Sequence, residues 1–136
     1  MTTKLNSILF IDDDSMSNLN SKRIIEKTNL AEEVLFTGSA REALDLLEKK
    51  FLLSGKFPAL IFLDIYMSPL DGWWVLEQLK TMPWLEHNTK IIMLSSSDDD
   101  ADRERAMKNP EVSGYLVKPL TEEYLLELTQ NMPGHN

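Results

Sequence analysis

The sequence predicts an α/β domain: a (βα)5 chain forming a doubly wound, five-stranded parallel sheet of order 2-1-3-4-5 in three α/β/α layers. Three observations carry this prediction. Five short runs are almost continuously apolar, as strands buried on both faces of a parallel sheet must be. Five amphipathic runs alternate with them, and right-handed crossovers turn such an alternation into helices on both faces of one sheet. The charged and hydroxyl residues collect just after the apolar runs, where an open α/β sheet binds its ligands.

The predicted strands are Ile8–Ile11, Val34–Thr37, Ala59–Leu63, Ile91–Leu94 and Tyr115–Val117. The first predicted helix, Ser15–Thr28, has good starters at its front, Asp14 and Ser15. The second, Ala40–Leu53, carries Ala43, Leu44, Leu47 and Phe51 at helical spacing. The third, Gly72–Thr81, carries Val75, Leu76 and Leu79. The fourth, Asp98–Asn109, is heavily charged, with Ala101, Ala106 and Met107 as a modest inner stripe and Ser97 or Asp98 as its expected cap. The fifth, Thr121–Asn131, carries Leu125 and Leu128. We expect a single domain over residues 1–136, with its core at about 6–131 and no attached output domain.

The strand ends raise a chemical question. Ile8–Ile11 runs straight into Asp12, Asp13 and Asp14, and adjacent carboxylates repel one another, more so when buried. The third run ends in Asp64, the fourth in Ser95, and the fifth in Lys118 followed by Pro119. The predicted topology brings these distant residues to one sheet edge. Asp12, Asp13 and Asp64 then form an all-oxygen ligand set, which suits Mg²⁺. The cation would offset the repulsion, Lys118 would pair with Asp64 or a phosphoryl group, and Ser95 would donate to a phosphoryl oxygen. Those are the parts for phosphoryl transfer onto Asp64, since carboxylates serve as nucleophiles in aspartyl-phosphate formation. Asp14 fits a capping charge at a helix start.

Bulk properties narrow the function classes. Of 136 residues, 43% are hydrophobic, enough for one ordinary core. Against 14 Lys and Arg stand 22 Asp and Glu, a net charge of -8, so nucleic acid is not an expected partner. There are no cysteines, hence no disulfide and no thiolate metal site. No apolar stretch approaches the roughly 20 residues of a membrane span, and the N-terminus lacks a signal-peptide pattern. A soluble cytoplasmic protein, monomeric or weakly dimeric, with no membrane partner is expected.

Four motifs in order, "IDDDS", "LDIYMSPLDGW", "LSSS" and "GYLVKPLT", make the chain resemble a response-regulator receiver domain, the CheY-like (flavodoxin-like) signalling module. The resemblance covers about residues 6–131. It implies that a histidine kinase or phosphotransfer protein donates a phosphoryl group to Asp64 with Mg²⁺ bound. Asp13, Asp64 and the Tyr66 backbone carbonyl would hold the ion, with Asp12 acting through water. Ser95 would then move to the phosphoryl group and Tyr115 would turn inward. The face of helix 4, strand 5 and helix 5 would bind a downstream protein, a two-state switch biased by local charge. Asp71 and Gly72 stand at the family's spacing. Three positions depart from its pattern: Tyr66 is often smaller, Ser68 usually Pro, and Ala40 commonly Gly. The bulk of Tyr66 beside Asp64 suggests that it shields the acyl-phosphate from water, so that Tyr66→Asn would lose phosphate faster.

Two other classes are weaker. A Mg²⁺-dependent phosphohydrolase with an aspartyl-phosphate intermediate wants an acid two residues after its nucleophile, where Tyr66 stands; Asp12 and Asp14 do have that spacing. A flavodoxin-like electron carrier needs a phosphate-cradling loop after strand 1, where three carboxylates would repel a flavin phosphate. Trp73 shares a stripe with Leu76 and Lys80 and is expected to be partly buried in the core. Trp74 falls with Glu77, Gln78 and Thr81 and is expected to be exposed, as an interface anchor or folded flat on its helix. His87 and His135 suggest no role.

Overall fold

In a computed structural model, residues 4–82, 89–96 and 98–130 are described. The elements run β1 (Leu5–Ile11), α1 (Ser15–Thr28), β2 (Ala31–Thr37), α2 (Ala40–Ser54), β3 (Leu60–Asp64), α3 (Gly72–Lys80), β4 (Lys90–Ser95), α4 (Asp100–Lys108), β5 (Gly114–Val117) and α5 (Glu122–Gln130). The five strands are parallel and ordered β2-β1-β3-β4-β5, as the apolar and amphipathic alternation predicts.

Every residue of β3 is buried, and β1 and β4 are nearly so. That burial on both faces explains why these strands read as unbroken apolar runs. One apolar layer joins Leu9, Ile11, Leu63 and Met93 of the sheet to α2, α3 and Ala106 of α4. The other joins Ile8, Phe10, Phe62 and Ile92 to Ile25 of α1 and Leu125 of α5. On this second face Phe10 stacks on Phe36 at 5.1 Å and on Phe62 at 4.8 Å, tying three strands together.

The helix starts are capped by short polar residues, which satisfy otherwise orphaned N–H groups. Asp14 accepts from Met16 N (3.0 Å), Ser39 from Glu42 N (3.1 Å), and Asp71 from Trp74 N (2.9 Å). The α4 start differs from expectation. Its cap is Asp99, which accepts from Ala101 N at 2.8 Å, not Asp98; Ser97 lies outside the described residues, as do His87 and His135. The inner stripe of α4 is also thinner: Ala106 is buried, while Ala101 and Met107 are exposed. β1 and β2 each begin three residues earlier than predicted, because polar Asn6, Glu32 and Glu33 are tolerated on ordered strands at the sheet's N-terminal end and outer edge. No helix among the described residues is long and apolar enough to cross a membrane.

Candidate functional site

The register builds the site. Ile11 lies opposite Leu63, so the next residues, Asp12 and Asp64, come side by side at the ends of adjacent strands. Asp64 in turn pairs with Leu94 of β4, and Ser95 with Val117 of β5. The Lys118 N–H donates to the Ser95 carbonyl at 2.7 Å, which carries the lysine to the same edge. Gly72 closes the floor: a Cβ there would stand 2.4 Å from the Asp64 carbonyl oxygen and 2.9 Å from Ile65 Cα. Only a residue without a side chain lets α3 approach the acceptor strand so closely. Spacing singled out Gly72 in the sequence, but its steric role needs the structure.

Asp12 and Asp64 are 1% and 4% exposed, while Asp13 is exposed. One oxygen from each of Asp12, Asp13 and Asp64 lies within 4.8 Å of the others. The Asp14 N–H donates to Asp12 Oδ1 at 2.9 Å, and the Asn18 amide donates to the Asp12 carbonyl at 2.9 Å. Lys118 Nζ lies 3.4 Å from Asp64 Oδ2, the partner expected from sequence, and closer still, at 2.8 Å, to Asp12 Oδ2.

The electrostatics follow from burial and like charge. Burial, then the neighbouring Asp12 carboxyl, pushes the Asp64 pKa from 3.8 up to about 7, against the pull of Lys118 and the Tyr66 N–H. Burial works against the Lys118 ammonium, but Asp12 first and Asp64 second outweigh it and raise its pKa. One ammonium therefore leaves the acidic cluster short of positive charge.

Ser95 is fully buried, and Tyr115 is 8% exposed. Burial raises the Tyr115 pKa, while a hydrogen bond with the Ser95 side chain acts to lower it. The Arg103 guanidinium lies over the Tyr115 ring at 4.8 Å. The ring is thus nearly closed to solvent and held between the Ser95 side chain and the Arg103 guanidinium.

Tyr66 is 56% exposed. Its N–H donates to Asp64 Oδ1 at 3.3 Å, and its hydroxyl donates to the Asp102 carboxylate on α4. That carboxylate pushes the phenol pKa up to about 12, which makes Tyr66 a poor acid for a phosphohydrolase. Asp102 was invisible as a site neighbour, because only the fold brings α4 over the β3–α3 loop. Trp74 corrects another expectation. It is half-buried and packs against the α2–α3 side of the core, with Arg41 of α2 over its ring at 5.2 Å. The adjacent helix covers the face that helical periodicity alone marked as polar. Trp73 is half-buried as expected, with Arg105 over its ring at 4.1 Å.

The donor set fits a hard divalent cation. It is all carboxylate, its members repel one another, and Asp12 Oδ2 meets no donor among the described residues beyond the Lys118 ion pair. Mg²⁺ accepts such a set while retaining several waters.

The family model for the response regulator receiver domain matches residues 8–130. A two-component response regulator from Cytophaga hutchinsonii is 32% identical and superposes with a TM-score of 0.85, covering 92% of this chain and 94% of that one. The probable methanogenesis regulatory protein FilR2 of Methanothrix harundinacea is 29% identical over 118 residues, 87% of this chain and 75% of that protein. The probable transcriptional regulator ycf27 of Porphyra purpurea is 29% identical over 127 residues, and this chain spans 46% of its length. With a parallel 2-1-3-4-5 sheet, an acid cluster at its carboxyl edge and the family match spanning nearly every described element, the chain belongs to the response regulator receiver domain family.

Proposed function

We propose that this domain accepts a phosphoryl group onto Asp64 from a phospho-histidine donor, a histidine kinase or phosphotransfer protein, and signals the change to a downstream protein. The observation that carries the proposal is the meeting of Asp12, Asp13 and Asp64 oxygens within 4.8 Å of one another, beside the Lys118 ammonium. An Asp64 carboxylate oxygen attacks phosphorus, the phosphorus–nitrogen bond to the donor imidazole breaks, and the imidazole keeps the electron pair and takes up a proton. Asp13, Asp64 and the Tyr66 carbonyl would hold Mg²⁺, with Asp12 acting through water. When bound, Mg²⁺ supplies charge neutralisation for the carboxylates and the incoming phosphoryl oxygens.

Lys118 would follow the new negative charge, and the Ser95 hydroxyl would donate to a phosphoryl oxygen. Tyr115 reports that movement, because its hydroxyl is paired with Ser95. The α4–β5–α5 face is the proposed docking surface for the downstream protein.

Incubation with acetyl phosphate and Mg²⁺ tests this. Intact mass should rise by one phosphoryl group per chain, and Asp64→Asn should show no rise. Multiple turnover of phosphomonoesters would instead identify a hydrolase, and an unmodified wild type would overturn the proposal.

A further inference from the structure

Helix α4 is held to the domain by little apolar surface, since only Ala106 of its residues is buried. Beyond the local Arg103–Asp98 ion pair at its start, three described side-chain ties reach other elements. Asp102 accepts from the Tyr66 hydroxyl in the β3–α3 loop, Arg103 lies over Tyr115 of β5, and Arg105 lies over Trp73 of α3. The first tie is unlike the others, because the same tyrosine donates its N–H to Asp64 Oδ1. A single residue therefore contacts the acceptor carboxylate with its main chain and α4 with its side chain. Asp102 is half-buried, while Asp100 in the same helical turn is exposed.

We propose that Tyr66 and Asp102 form a latch that ties α4 to the Asp64 loop, so that a change at Asp64 reaches α4 through the Tyr66 side chain, alongside the Ser95–Tyr115 pair. This rests on the reading of Asp64 as phosphoacceptor. Phosphorylation of Asp64 turns one of its carboxylate oxygens into the bridging oxygen of an acyl phosphate and changes the acceptor that the Tyr66 N–H faces. The loop adjusts and carries the phenol with it. A helix with so little buried surface belongs to the low-stability end of the fold, where one hydrogen bond sets local opening. By linkage, whatever moves α4 also biases Asp64.

Amide hydrogen exchange of α4 tests the latch with the full chain. Without phosphodonor, Asp102→Ala and Tyr66→Phe should each speed α4 exchange about fivefold, the scale of one net hydrogen bond. The double variant should be no faster than either single. Asp100→Ala, which removes the same charge from the same turn, should leave α4 near wild type. With acetyl phosphate and Mg²⁺, Asp102→Ala should gain the phosphoryl mass to wild-type extent, yet its α4 exchange should respond less than wild type. Unchanged α4 exchange in both single variants, or additive effects in the double, would overturn the latch. Phosphoryl uptake with a full α4 response in Asp102→Ala would overturn the coupling alone. No uptake by wild type would overturn the phosphoacceptor reading and the coupling with it, while the donor-free comparison still decides the tie.

Discussion

The ammonium of Lys118 stands 2.8 Å from Asp12 Oδ2, an ion pair almost closed to solvent. Removing one partner of such a pair costs more than the pair itself contributes, because a buried charge is left uncompensated. Lys118→Met should destabilise the metal-free protein by about 3 kcal/mol at pH 7.5. The loss should shrink at pH 5, where a protonated Asp64 no longer repels Asp12. Urea unfolding at the two pH values measures both numbers, and an equal loss at each would contradict this account.

The raised Asp64 pKa makes a signed prediction. The folded state holds this proton up to about pH 7, whereas the unfolded chain releases it near 3.8. Between those values the native state binds more protons, so stability falls as pH rises, by at most about 1.4 kcal/mol per unit. In EDTA, wild type should lose stability across this window, and Asp64→Asn should lose less. Parallel profiles for the two proteins would show that Asp64 ionises normally.

Asp13 is exposed, so its charge adds little to folding and can be tested separately from it. Asp13→Asn should weaken Mg²⁺ binding by at least about tenfold. Stability in EDTA should stay within roughly 0.5 kcal/mol of wild type. Calorimetric Mg²⁺ titration and a denaturation curve check the two halves.

Gly72→Ala sets helix propensity against packing. Alanine is the better helix former, but its Cβ would stand 2.4 Å from the Asp64 carbonyl. We expect a net loss of about 2 kcal/mol and slower phosphoryl uptake from acetyl phosphate. A stabilised variant with normal uptake would show that the contact relaxes at no cost.

The architecture was legible because it depends on period and order. Buried parallel strands must be apolar on both faces, and Asp12, Asp64, Ser95 and Lys118 sit where such strands stop. Side-chain partnerships between elements were not. Trp74 reads as exposed on its own helix, and Arg41 of α2 covers it. Asp102 reads as one more charge in an acidic helix start, and Tyr66 reaches it across 36 positions. The α4 boundary slipped because Asp98, Asp99 and Asp100 are equally good caps in isolation.

The stacked rings of Phe36, Phe10 and Phe62 lie upstream of this chemistry, and two of them precede Asp12 and Asp64 by two residues each. Together with the β1–β3 register, this aromatic ladder braces the spacing of those acids before any ion or donor arrives. Phe10→Leu or Phe62→Leu should loosen that calibration and lower Mg²⁺ affinity from two residues away along each strand, with no ligand altered.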